Sequence, residues 1–559
     1  MRKPGLSVVR SAAGIGAVAM CCWVASAQMG DMPGMQHHHH DENEKLGSVS
    51  FPVSCAEATK EPMERGIALL HSFGYEEATQ QFTDLTKSDP KCAMAHWGVA
   101  MTQFHELWGR PDKSSMDLGW KEIEEAQKLG AKTERERMYI AALHSFYDPA
   151  KGDNYQARVD AYTAGMQALH QAYSQDVEAA AFYALSLLAD VAPNDTSLVK
   201  ERKALAVLVP LFEKNPDHPG LAHYIIHTCD TPALAPDGLA AAQKYAQIAS
   251  SSPHALHMPG HIFARLGMWP EDIQSNLASV AASQKAEAEG IPGTHHMYHA
   301  QEFLLYAYLQ TGQDGKAKQL VDGINPLADK LDAMPGMDDM KDMSNYVRNE
   351  FPAFYDVEMR DWPAAAALAP VRGSKALDAL VTYWARGVAD GHLRKADDAA
   401  ANLKQFDAAL EDLKKSPYAF LVDQMSVDRN ELLAWQEFAQ GKTDAAVGTM
   451  RKAADEQDKL GQGEVDLPAR EMLGDILMEL NRPKEALAEY KVALTLSPNR
   501  LNALYGAGRV AEALGMKKEA GEYYAAILKN TDDGAHSTRA SLEHAKQFVG
   551  AKTVAAMTN

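Results

Sequence analysis

A chain of 559 residues is too long for one ordinary domain, so it holds about three or four domains or one long repeat array. Hydrophobic residues at 46% and charged residues at 23% sit close to globular averages, which excludes a disordered or collagen-like chain. A formal net charge of −20 argues against a general nucleic-acid binder, because a phosphate backbone is held by excess Lys and Arg.

The first residues read as an address. Arg2, Lys3 and Arg10 form a basic start, Ala12 to Val24 is apolar, and Ala25-Ser26-Ala27 is a small-residue cleavage site. Residues 1–27 are therefore expected to be a signal peptide, with the mature chain starting near Gln28. No other stretch approaches the roughly 18 consecutive apolar residues of a membrane span, so a periplasmic or secreted protein is expected. Residues 28–50 form a His/Met-rich tail. Its Met32, Met35, His37, His38, His39 and His40 mix thioethers with imidazoles, the ligand set of Cu(I) and Cu(II).

Cleavage leaves Cys55, Cys92 and Cys229 in a compartment where disulfides persist. Cys55 precedes the first expected helix and Cys92 follows the Asp89-Pro90 turn, so a Cys55–Cys92 bridge would tie the entry segment to the first helical hairpin. The closed loop of about 38 residues would be worth roughly 3–4 kcal/mol in the chain-entropy model. Without a Cys-x-x-Cys motif the pair reads as structural, and Cys229 reads as a small buried apolar residue.

Residues 51–200 form an N-terminal helical block, in which packing accounts for His71, His96, His105 and the tryptophans. Residues 201–320 form a His-dense helical block: of 21 histidines, eight fall between His223 and His299. His223 and His227 are spaced i, i+4, as are His257 and His261, and His299 with Glu302 is i, i+3, so each pair can share a helix face. Imidazole suits Zn, Cu, Fe and Ni, and such pairs on neighbouring helices could converge on one ion. Asp230 and Arg265 are candidates for groups that orient the ligands, and Asp230 or Glu302 for a general acid or base. The plain alternative is that each pair is a polar contact satisfied inside the helix stack. Pro259 favours a new helix start, with His257 in the loop before it. His254, His295 and His296 are weaker candidates, as adjacent or loop histidines tend to be solvated.

Residues 321–350 form a Met-rich connector with Met334, Met337, Met340 and Met343 every third residue, either a copper- or silver-binding run or a Met-rich loop. Residues 351–559 form a regular array. Leu473-Gly474, Leu480-Asn481, Ala486 and Tyr490 have counterparts 34 residues later at Ala507-Gly508, Leu514-Gly515, Ala520 and Tyr524. A period of 34 is the tetratricopeptide (TPR) signature, and the clearest repeats are 467–500 and 501–534. Gly or Asn closes the first helix of each pair, Ala admits the second, and the aromatic fills the core between repeats. A looser turn-then-Ala pattern appears at Gly74, Gly312, Asp361, Gly391 and Gly441. The expected fold is all-α, a TPR-type solenoid of helical hairpins.

Several long motifs carry a family likeness. They are His223-Tyr-Ile-Ile-His227 with Asp230, Ser252-Pro-His-Ala-Leu-His-Met-Pro-Gly-His261 through Trp269, Ser275-Asn276, Ser497-Pro-Asn-Arg-Leu-Asn502 through Gly508, and Cys55 with Cys92-Ala-Met-Ala-His-Trp-Gly98. With them the chain resembles a family of exported bacterial tetratricopeptide-repeat proteins over most of its mature length. The resemblance implies a helical-repeat fold and no particular activity. Where that family often has His-Ala-x-Asp-Tyr, this chain has His299-Ala-Gln-Glu302-Phe, which keeps the carboxylate.

The leading functional expectation is an exported scaffold whose groove binds a protein or peptide partner in the cell envelope, with an embedded His-rich metal site as a secondary feature. The alternatives are a periplasmic copper- or zinc-binding protein, and a metal-dependent hydrolase using the middle-block histidines. Phosphate-loop, serine-hydrolase and His-Glu-x-x-His motifs do not occur.

Overall fold

The computed structural model describes residues 44–557 apart from 108–109, 193–194, 289–293, 334–339, 417, 423, 462 and 464. The expected signal peptide, the tail candidates Met32, Met35, His37, His38, His39 and His40, and Met334 and Met337 lie outside the described residues. Among the described residues every regular element is helical. None of these helices is long and apolar enough to cross a membrane.

Local chemistry sets many helix starts. Asp112, Asn154, Asp176 and Ser252 each accept a backbone N–H of the first turn, and Thr133 with Glu136 forms a capping box. Successive helices pair across short turns: Met425–Ala439 on Thr443–Leu460, Ala469–Glu479 on Pro483–Leu496, and Leu501–Ala513 on Lys517–Asn530. The turns close in the left-handed region at Gly312, Gly441, Asn481 and Gly515. Between repeats the Tyr490 ring fits where Gly474 and Gly506 have no side chain, since a Cβ there would lie 2.8 and 2.4 Å from it.

Three of the looser turns differ from the sequence expectation. The left-handed residue is Phe73 and not Gly74, Arg360 ahead of Asp361, and Arg394 and not Gly391. At the first, the Phe73 and Gly74 N–H groups bond to the Leu70 and Leu69 carbonyls at 3.0 and 2.9 Å, so the bonds that end the helix put Phe73 at the left-handed position. Gly391 lies inside helix Ala376–His392, where a Cβ would sit 2.5 Å from Trp435 Cβ; its absence serves packing.

Cys55 and Cys92 are disulfide-bonded, and Cys229 is buried with a free thiol. Buried apolar residues from 46 to 263 form one continuous cluster, and others gather within 298–351, 353–510 and 501–545. The turn Ser497 to Arg500 docks back on the middle of the chain. Asn499 Nδ2 donates to the Gly267 carbonyl and Trp269 Nε1 to the Asn499 carbonyl, both at 3.1 Å. Just beyond it Leu501 N donates to Gln310 Oε1 at 2.9 Å, which holds the C-terminal repeats against helix Thr294–Gln310, the one that carries His299.

Candidate metal centre

Three segments build the centre. Helix Pro219–Cys229 starts with Pro at its first turn under a His218 cap, which accepts the Leu221 N–H, and displays His223 and His227 one turn apart. Helix Pro253–His257 starts on a Ser252 cap and ends at His257. A second helix, Pro259–Arg265, begins at Pro259 as the sequence suggests, but Met258 between them is right-handed helical. His257 is therefore helical and not in a loop, and it stays on one face with His261. Helix Thr294–Gln310 brings His299 and Glu302 from the other side.

The His257 and His261 Nε2 atoms lie 2.9 Å apart. One nitrogen from each of His257, His261 and His299 lies within 4.8 Å of the other two, and all three residues are buried. Their outer nitrogens are held by oxygen. His257 Nδ1 meets Asn276 Oδ1 at 2.6 Å, His261 Nδ1 meets Asp230 Oδ2 at 3.0 Å, and His299 Nδ1 meets Glu302 Oε2 at 3.0 Å.

The Asn276 amide is oriented by its own bonds: Nδ2 donates to the Asp272 carbonyl at 3.0 Å and to Asp272 Oδ1 at 2.6 Å. Its Oδ1 therefore accepts from His257 Nδ1–H. The Asp230 carboxylate likewise accepts from His261 Nδ1–H, while Arg265 Nε donates to Asp230 Oδ1 at 3.0 Å. Both Nε2 atoms then present lone pairs to each other. Burial, followed by the neighbouring His299 and His261, pushes the His257 pKa well below the usual 6.5. Between neutral rings two such acceptors at this distance repel, and a cation between them removes the repulsion.

A second set lies beside the first. One nitrogen from each of His223, His227 and His254 lies within 4.8 Å of the other two. His223 Nδ1 donates to the His71 carbonyl at 2.6 Å, and its Nε2 faces His254 Nε2 at 3.0 Å. Burial pushes His223 and His254 well below 6.5 and His227 down to about 3. Each set packs against one phenyl ring. Phe303 lies 4.9, 4.9 and 5.1 Å from His257, His261 and His299, and Phe73 lies 4.3, 5.4 and 5.5 Å from His223, His227 and His254, between ring centroids.

A third buried group is of a different kind. Glu178 bonds His71 Nε2 at 2.6 Å and His218 Nε2 at 2.9 Å, while His71 Nδ1 meets the Tyr224 hydroxyl at 2.9 Å. Burial raises the Glu178 pKa, but the pull of His218 and His71 outweighs it and holds the carboxylate ionised. This is a satisfied polar network that backs the His71 carbonyl.

All six sequence candidates thus lie in the centre, with Glu302 on the outer nitrogen of His299, and Asp230 and Arg265 behind His261. His254, a weaker candidate by sequence, belongs to the second set, and the His296 ring lies 5.7 Å from that of His254. Spacing alone does not mark Asn276 or the two phenylalanines; the one sequence signal for Asn276 is its place in the Ser275-Asn276 motif.

A tetratricopeptide-repeat family model matches residues 431–501 and 471–535. No curated protein matches the chain. Among solved structures, the chain is similar to a human IFIT1 dimer with PPP-AAAA, at 14% identity and a TM-score of 0.37, over 78% of this chain and 90% of that one. It is also similar to the APC/C hetero-tetramer Cut9-Hcn1, at 13% identity and a TM-score of 0.33, over 88% and 89%. The fold is an all-α, TPR-type solenoid, and such repeats suggest a protein-interaction scaffold.

Proposed function

We propose that this protein is a helical-repeat scaffold that holds a transition-metal ion on His257, His261 and His299. The observation that carries the reading is the opposed pair of Nε2 atoms at 2.9 Å, on two rings whose Nδ1 hydrogens are committed to Asn276 and Asp230. Histidine ligands typically give their other N–H to a carboxylate or carbonyl, which fixes the tautomer and raises the basicity of the ligating nitrogen. Three imidazoles suit zinc or copper, and a three-ligand set leaves a coordination position for water or another ligand. Glu302 and Asp230 act here by orienting rings.

The reading includes export to the periplasm or the outside, where the protein would meet its metal and a protein or peptide partner. The Cys55–Cys92 bridge supports an oxidising compartment, and the basic-apolar-small start of the sequence supports a signal peptide. Cell fractionation with N-terminal sequencing tests that part; a chain retained in the cytoplasm with residues 1–27 intact overturns it.

The metal is tested on the full chain with His37, His38, His39 and His40 changed to Ala, purified without a tag or chelating column. Elemental analysis is expected to find at least one equivalent of zinc or copper, reduced in His261→Ala and His299→Ala. A folded protein that holds no metal and takes up neither Zn(II) nor copper overturns the proposal.

A further inference from the structure

We propose that His223, His227 and His254 bind a second metal ion, copper(I), so that the molecule carries a two-metal centre. The inference rests on reading His257, His261 and His299 as the first metal site. The two sets have the same construction: two histidines spaced i, i+4 and a third from the segment that packs on them. His254 and His257, one from each set, stand a turn apart on helix Pro253–His257 with ring centroids 6.4 Å apart. The two sets are thus joined through one short rigid element.

Three observations make the second set more than a polar cluster. The His71 carbonyl takes the His223 Nδ1 hydrogen, so His223 Nε2 turns a lone pair inward toward His254. His227 Nε2 is buried with no hydrogen-bond partner, which costs free energy unless something occupies its lone pair. Phe73, a bulky residue, holds a left-handed backbone at φ +54°, and its buried ring lies against all three imidazoles.

Charge separates the two sets in kind. The first is backed by the carboxylates of Asp230 and Glu302, which offset a divalent ion. In the second, the His223 ring is held by a backbone carbonyl and walled by Phe73 and by Tyr245, whose ring stacks 5.1 Å from it, and Asp230 acts on His227 through space without a bond to its ring. A weakly charged, aromatic-walled set of three neutral imidazoles favours a soft monovalent ion, because burying one charge costs less than burying two.

The test is an anaerobic titration of the full chain, in the background without tail histidines, with Cu(I) in competition with a chromophoric Cu(I) chelator. Two equivalents are expected to bind. His254→Ala and His227→Gln should each lose one and keep the other, and His261→Ala should do the converse. His227→Gln strands no hydrogen-bond partner of Nε2, so it keeps the test available if His254→Ala fails to fold. One equivalent, lost in His261→Ala and untouched in His227→Gln, overturns this inference and leaves the first site standing. No bound copper(I) in the parent protein overturns this inference, and the first site falls with it only if the protein also takes up no Zn(II).

Discussion

Arg500 Nη1 donates to the Tyr306 hydroxyl at 2.7 Å across 194 positions of sequence. The same fully buried guanidinium meets Glu358 at 2.6 Å and Glu471 at 2.8 Å, so the C-terminal repeats grip the helix that carries His299 and Phe303 through one side chain. Replacing Arg500 by Ala removes the counter-ion of buried Glu358 and leaves Glu471 only the longer contact to Arg360 at 3.7 Å, a loss of roughly 3–5 kcal/mol. Urea unfolding should show it as a lower midpoint. An unchanged midpoint would mean that the clamp contributes nothing.

Asn276→Leu should keep the fold and weaken metal binding. Without Oδ1 the His257 Nδ1 hydrogen loses its acceptor and the ring loses its orientation. Changes at such positions typically cost 10–100-fold in metal affinity. Competition with a chelator of known affinity measures this, and wild-type affinity in the variant would contradict the role assigned to Asn276.

Acid should destabilise the metal-free protein through the same rings. His223, His254 and His257 have pKa values well below 6.5 and His227 has one of about 3, all led by burial, whereas in the unfolded chain each returns to the usual 6.5. Below pH 6.5 the unfolded chain therefore binds protons that the folded one refuses. Stability is full above that pH and falls as the pH drops toward 3, by about 1.4 kcal/mol per pH unit for each such ring. Thermal unfolding between pH 7 and pH 4 should show a steep fall in Tm, lessened in His227→Gln.

Gly267→Ala should loosen the docked turn. Gly267 has φ +64°, and a Cβ there would sit 2.3 Å from the Pro498 carbonyl oxygen, which is backbone and cannot swing aside. A cost above roughly 1 kcal/mol is expected from the left-handed conformation alone. Denaturant titration should show it, with the largest loss of amide protection around residues 497–502.

Cys55→Ser should lower stability by roughly 3–4 kcal/mol, since the bridge closes a sequence separation of 37 residues. A chemical-denaturation midpoint that is the same with and without reductant would show that the bridge does not form in the protein.

Much of the architecture is written locally, and so are parts of the centre. The 34-residue period, the left-handed Asn481 and Gly515, the buried Ala486 and Ala520, and the Cys55–Cys92 pairing all follow from composition and spacing. The i, i+4 pairs place two histidines on one face, because that is a property of a single helix. Spacing does not fix a turn to the residue where local bonding can shift it, as from Gly74 to Phe73.

Tertiary structure alone decided the rest. The outer nitrogen of each ring is held by a partner from another segment: Asn276 for His257, Asp230 for His261, the His71 carbonyl for His223. The Ser497 to Asn502 motif is likewise visible in the sequence as a string. Its work appears only where Asn499 reaches Gly267 and Arg500 reaches Tyr306 and Glu358. Helical periodicity reports which residues share a face; it carries no information on which faces meet, because that is set by the packing of elements tens to hundreds of residues apart.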